Sequence, residues 1–116
     1  MNSFSAQRWK IEDNLLKDKA GLWKSVDSWI FIPQETEDDD MICIKNTSKT
    51  KVLGLTSDDK VIEEFLVEDK DDQNWIKGEP DAEGYFTLQN SDFDEPKVLT
   101  AISESSLEMK GNIPMR

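Results

Sequence analysis

Histidine is missing from this chain altogether, and with it go the usual general base at neutral pH and the commonest metal ligand. A single cysteine, Cys43, has no partner for an internal disulfide and fits a reducing, cytoplasmic setting. Flanked by Ile42 and Ile44, it reads as a small buried hydrophobe, not a nucleophile. No uncharged apolar run approaches the ~20 residues of a spanning helix, so membrane insertion is not expected. The opening residues, Met1-Asn2-Ser3-Phe4-Ser5-Ala6-Gln7-Arg8, lack the apolar centre of a secretory signal. The Asn46-Thr47-Ser48 triplet is then a coincidental match to a glycosylation acceptor. Basic residues are outnumbered 14 to 25, for a net charge of −11. They do not cluster, which disfavours nucleic acid and anionic membranes as partners. There is no glycine-rich loop to cradle a phosphate.

What is present is a chain of 116 residues, 36% hydrophobic, enough for one domain with one modest core. Its carboxylates gather at 35–40, 68–72 and 92–95, each between apolar runs, as solvated turns do in a small soluble β protein. The runs 37–40 and 69–72 lack the spacing and central glycine of an EF-hand loop, so no metal site is expected. None of the paired carboxylates stands in a glycosidase context. The chain therefore reads as a binding protein without cofactors, not an enzyme.

Residues 73–90, QNWIKGEPDAEGYFTLQN, give the clearest structural unit. Trp75-Ile76 opens a strand, Gly78-Glu79-Pro80-Asp81-Ala82-Glu83-Gly84 breaks it, and Tyr85-Phe86-Thr87-Leu88 resumes it. Upstream, Trp29-Ile30-Phe31-Ile32-Pro33, an acidic turn and Met41-Ile42-Cys43-Ile44-Lys45-Asn46 repeat the order of aromatic, turn, apolar strand and Asn. Beyond each Asn, at 46 and at 90, a polar loop leads to Lys-Val-Leu, at 51–53 and at 97–99. Asp18-Lys19-Ala20-Gly21-Leu22-Trp23 is a shorter version with the loop trimmed. About eleven short apolar runs, Leu22-Trp23 and 61–67 among them, predict an all-β sandwich or barrel. A twelfth strand has room only in the cramped segment before Trp29.

Gln7-Arg8-Trp9 and Gln73-Asn74-Trp75 are two copies of a Gln-x-Trp motif, and Asp27-Ser28-Trp29 is a degenerate third. With the Asn–loop–Lys-Val-Leu segments between them, the chain resembles the ricin-type β-trefoil over residues 7–110. The resemblance implies a single pseudo-threefold domain of about twelve short strands, a barrel closed by three hairpins. Its units would span about 7–28 (abbreviated), 29–74 and 75–110. It also implies carbohydrate binding, a monomer or weak oligomer, and shallow pockets in which a carboxylate, an aromatic platform and an Asn-Gln pair hold a sugar.

In the second unit that pattern falls on Glu63, Phe65, Asp72 and Gln73, the candidate ligand-binding residues, with Gly54 where the family has Asp. The Asp position is Thr100 in the third unit and near Lys24 in the first. Two acidic acceptors suit a ligand rich in hydroxyls, or one with an amine. The alternating pattern Val61, Glu63, Phe65, Val67 also allows Phe65 to be core, and Gln73 to be a backbone staple. Asp72 is expected in a solvated loop. Of the four tryptophans, Trp23 is the one expected to be least covered. The alternative function is a protein-interaction or inhibitor trefoil, meeting a basic partner surface through loops 33–40, 68–73 and 91–97.

Overall fold

The computed structural model describes residues 5–34, 41–56, 58, 60–67, 71–91 and 97–111. Ten antiparallel strands appear among them: β1 Trp9–Glu12, β2 Leu15–Asp18, β3 Trp29–Pro33, β4 Met41–Asn46, β5 Lys51–Leu55, β6 Val61–Glu64, β7 Trp75–Lys77, β8 Leu88–Asn90, β9 Lys97–Ala101 and β10 Leu107–Gly111. Short 3-10 turns at Ser5–Gln7 and Asp71–Gln73 stand just ahead of β1 and β7. The chain is all-β, as its short alternating runs predict.

Strands β1 and β2 form a two-residue hairpin. Its central residues, Asp13 and Asn14, have φ of 54° and 66°, the mirror-image turn whose twist matches that of the strands. Asp and Asn tolerate this left-handed backbone best after glycine. The other strands form one sheet in the order β10-β9-β8-β7-β4-β5-β6, with β3 beside β4. The sheet curls until its end strands, β6 and β10, lie against each other. Paired bonds between Trp9 and Phe86, at 2.8 and 2.9 Å, tie β1 to the segment just ahead of β8.

The core is organised on three tryptophans, Trp9, Trp29 and Trp75, each with 0% exposure. Each faces a buried polar residue across its hairpin: Asp18, Asn46 and Asn90 respectively. The next residue then donates its amide to the carbonyl just before the tryptophan: Lys19 to Arg8, Thr47 to Ser28 and Ser91 to Asn74, at 2.8–2.9 Å. The Trp9 indole donates to Leu99 O at 2.9 Å and the Trp75 indole to Leu53 O at 3.0 Å. Both acceptors are the leucine of a Lys-Val-Leu segment. Trp29 uses Ser25 Oγ at 3.0 Å instead.

Burying an indole is worth several kcal/mol only if its N–H keeps a partner. The repeated tryptophan and the repeated Lys-Val-Leu are therefore two halves of one contact. The motif glutamines complete it. Gln73 donates to Phe65 O and accepts from Val67 N, both at 2.8 Å, while Gln7 donates to Gly111 O at 2.8 Å.

Leu22-Trp23 is not a strand and the run 61–67 is one only in part, each for a local cause, while Tyr85–Thr87 precedes β8 with only a bridge at Phe86. Leu22 and Trp23 give their amides to the Asp18 carboxylate, at 3.1 and 2.8 Å, so these donors are lost to any ladder. The run 61–67 stops being strand after Glu64, where Gln73 takes Phe65 O and Val67 N. Cys43 is buried on β4, 1% exposed, and burial pushes its thiol pKa up.

Candidate functional site

The segment from Leu22 to Ser28, between β2 and β3, has no strand of its own and is pinned from several sides. Asp18 holds its start, Lys24 N donates to Glu104 O at 3.0 Å in the β9–β10 turn, and Ser28 N donates to Ser48 Oγ at 2.9 Å. Between this segment, β6 and the β9–β10 turn lies a cavity of about 460 Å³, within the size range of small-ligand sites. Trp23, Ser25, Asp27, Lys49, Glu63 and Glu104 are among its walls. A second cavity of about 580 Å³, bordered by Lys60, Ile102 and Glu108, has no aromatic residue in its lining among the described residues.

Asn46 gives the first cavity its order. It is fully buried opposite Trp29, and its one side-chain nitrogen donates to Asp27 Oδ2 at 2.9 Å and to Glu63 Oε1 at 3.1 Å. An amide has two N–H donors, so one Asn orients two carboxylates at once. Its Oδ1 accepts from Lys49 N at 3.2 Å, which fixes the start of the Lys49 side chain. The Lys49 ammonium then lies 3.6 Å from Asp27 Oδ2 and 3.7 Å from Glu63 Oε2. Trp23 is half-buried against the core, and its indole N–H is buried without an acceptor among the described residues.

Of the four residues expected to share a pocket, one stands in the lining of this cavity. Glu63 lines the cavity. Phe65 is 69% exposed, which removes it from the core; its ring lies 5.3 Å from Lys51 Nζ and outside the cavity lining. Asp72 is 7% exposed, not solvated. Its Oδ2 accepts from Leu55 N at 3.0 Å and its carbonyl from Asn90 at 2.7 Å. Gln73 is 1% exposed and serves as the backbone staple described above. Gly54 has a steric reason: a Cβ there would meet the Glu64 and Asp72 carboxylates.

The sequence missed Asp27, Asn46 and Lys49. The signal for Asp27 was its place in the degenerate motif, where an acid replaces glutamine. Loop segments 35–40, 68–70 and 92–96 lie outside the described residues. Among the described residues, no group of three or more His, Cys, Asp or Glu is disposed to hold a metal ion, and no helix is long and apolar enough to cross a membrane. No family model, curated protein or solved structure matches the chain.

Proposed function

We propose that the chain is a ricin-type β-trefoil domain acting as a carbohydrate-binding module, not an enzyme. The threefold recurrence supports the trefoil reading: a tryptophan faces a buried polar residue three times, and two tryptophan indoles bond the leucine carbonyl of Lys-Val-Leu. For the function, one observation carries the proposal. The half-buried Trp23 indole shares a cavity with the Asp27 and Glu63 carboxylates, which Asn46 holds in fixed orientation. A pyranose has C–H faces that stack on an aromatic ring and hydroxyl edges that donate to carboxylates. The ligand pocket thus belongs to the junction of the first and second units, sharing only Glu63 with the set expected from sequence.

A glycan array with competing free sugar tests this. Competable binding to a defined glycan set, lost in Trp23→Ala and kept in Phe65→Ala, is the expected outcome. Binding that survives Trp23→Ala would remove the cavity from the reading.

The alternative, a protein-interaction trefoil, draws on a different observation. Phe65, Leu66 and Val67 form a continuous apolar run that is 69%, 55% and 52% exposed, and such runs mark contact surfaces. A chain that binds no glycan, and whose partner binding is lost in Phe65→Ser, would put that reading first.

A further inference from the structure

Lys49 is loosely held at the cavity. Its ammonium is more than 3.5 Å from either carboxylate, whereas a charge-assisted hydrogen bond closes to about 2.7–2.9 Å. Its side chain is 56% exposed, against 24% and 26% for Asp27 and Glu63. The two carboxylates are fixed and partly shielded, while the cation between them hangs on a flexible stem from the rim. Among the described residues, lining carboxylates Asp27, Glu63 and Glu104 outnumber the lining cations Lys24 and Lys49.

Resting on the glycan-binding reading, we propose that this cavity selects a sugar with a free primary amine, and that Lys49 occupies the ligand's ammonium position until the ligand arrives. An ammonium carried on a rigid ring stacked at Trp23 would lose little further freedom on reaching Asp27 and Glu63. Lysine must immobilise four carbons to do the same. The indole face favours a nearby cation, and Trp23 stands in the same lining as the two carboxylates. N-acetylation removes the charge and adds bulk, so it abolishes the preference.

Titration calorimetry of the full chain with a chitosan tetrasaccharide, against the fully N-acetylated tetrasaccharide, tests the inference at a pH that keeps the amines charged. The amine form is expected to bind at least about tenfold tighter at low salt, and the advantage to shrink as salt rises. Asp27→Asn and Glu63→Gln are expected to erase the advantage. Lys49→Met, which removes the competing cation, is expected to raise amine affinity several-fold and leave the N-acetylated ligand unchanged. Equal binding of the two ligands overturns the inference and leaves the glycan reading standing. An equal loss in the remote variant Glu12→Gln also overturns it, because the preference would then reflect the net charge of the chain. Weaker amine binding in Lys49→Met, in a protein that melts normally, overturns it as well. If neither tetrasaccharide binds, the amine inference falls, and the array decides the glycan reading separately.

Discussion

Trp75 and Trp23 make the sharpest contrast in the molecule. Both belong to the same class of large amphipathic side chain, and both touch the one core. Trp75 is fully covered and its N–H is spent on Leu53 O, so it has nothing left to offer a ligand. Trp23 is half covered, its backbone is fixed by Asp18, and its N–H has no acceptor among the described residues. A tryptophan is structural when the fold covers it wholly and satisfies its polar edge, and available when the fold fixes its position but leaves part of it open to a cavity. The same contrast separates two acids. Asp72 is buried on the Leu55 amide, whereas Asp27 meets Asn46 and Lys49 through Oδ2 and lines the cavity.

The strongest way to break the contrast is to truncate both tryptophans. Trp75→Ala is expected to cost about 3–5 kcal/mol of folding, through lost burial and an orphaned Leu53 carbonyl. Trp23→Ala is expected to cost about 1–2 kcal/mol, in proportion to its partial burial. Urea denaturation of the two variants checks the difference; equal losses would erase the distinction between staple and platform.

The acids sharpen the comparison at a lower energy. Asp72→Ala is expected to lose about 1–3 kcal/mol, because the Leu55 amide is left buried and unpaired. Asp27→Asn keeps its shape and its contact with water, so a shift of under about 1 kcal/mol is expected in the same denaturation experiment.

A third test uses pH. Asp81 accepts the Lys19 ammonium at 2.7 Å, and this bond lowers the Asp81 pKa and raises that of Lys19. A lowered carboxylate stabilises the fold fully above its unfolded value of about 3.9 and stops doing so as pH falls through the lower folded value. The Lys19 contribution is full below about 10.4 and fades as pH rises through its raised folded value. Asp81→Asn should therefore flatten the acid limb of the stability profile. An unchanged limb would show that the pair contributes nothing in solution.

The smallest expected effect is at Phe65. Exposed as it is, Phe65→Ser should change stability by no more than about 0.5 kcal/mol. A larger loss would return Phe65 to the core.

The strand-forming residues were legible because their signals are local. Trp-Ile pairs, Lys-Val-Leu and the Gly/Pro/Asp turns announce strands and breaks within a few residues of themselves. The motif glutamine was readable too, at least as one of two roles, and its bonds to Phe65 and Val67 decide for the staple.

The segment 22–28 was not legible, because what shapes it is distant or unusual. An Asp18 carboxylate captures amides that otherwise favour a strand, and contacts from Glu104 and Ser48 complete the hold. The site failed to emerge for the same reason. Asn46, Asp27 and Glu63 lie on three different segments, and nothing in their spacing shows that one amide will bridge two carboxylates. Gly54 was visible as a departure from the pattern, but its cause, the Glu64 and Asp72 carboxylates above it, exists only in three dimensions.

The indole acceptors also impose an order of events on a chain made from its N-terminus. Trp29 finds Ser25 four positions away, so that bond can form as soon as the local segment exists. Trp75 closes on Leu53, 22 positions back, already synthesised when it appears. Trp9 must wait for Leu99, 90 positions ahead, and Gln7 for Gly111, 104 ahead. Pairings of such long sequence separation form slowly. During synthesis the Trp9 indole therefore lacks its Leu99 acceptor until nearly all of the described chain is made. Of the three fully buried tryptophans, the first to be made is the last to meet its indole acceptor.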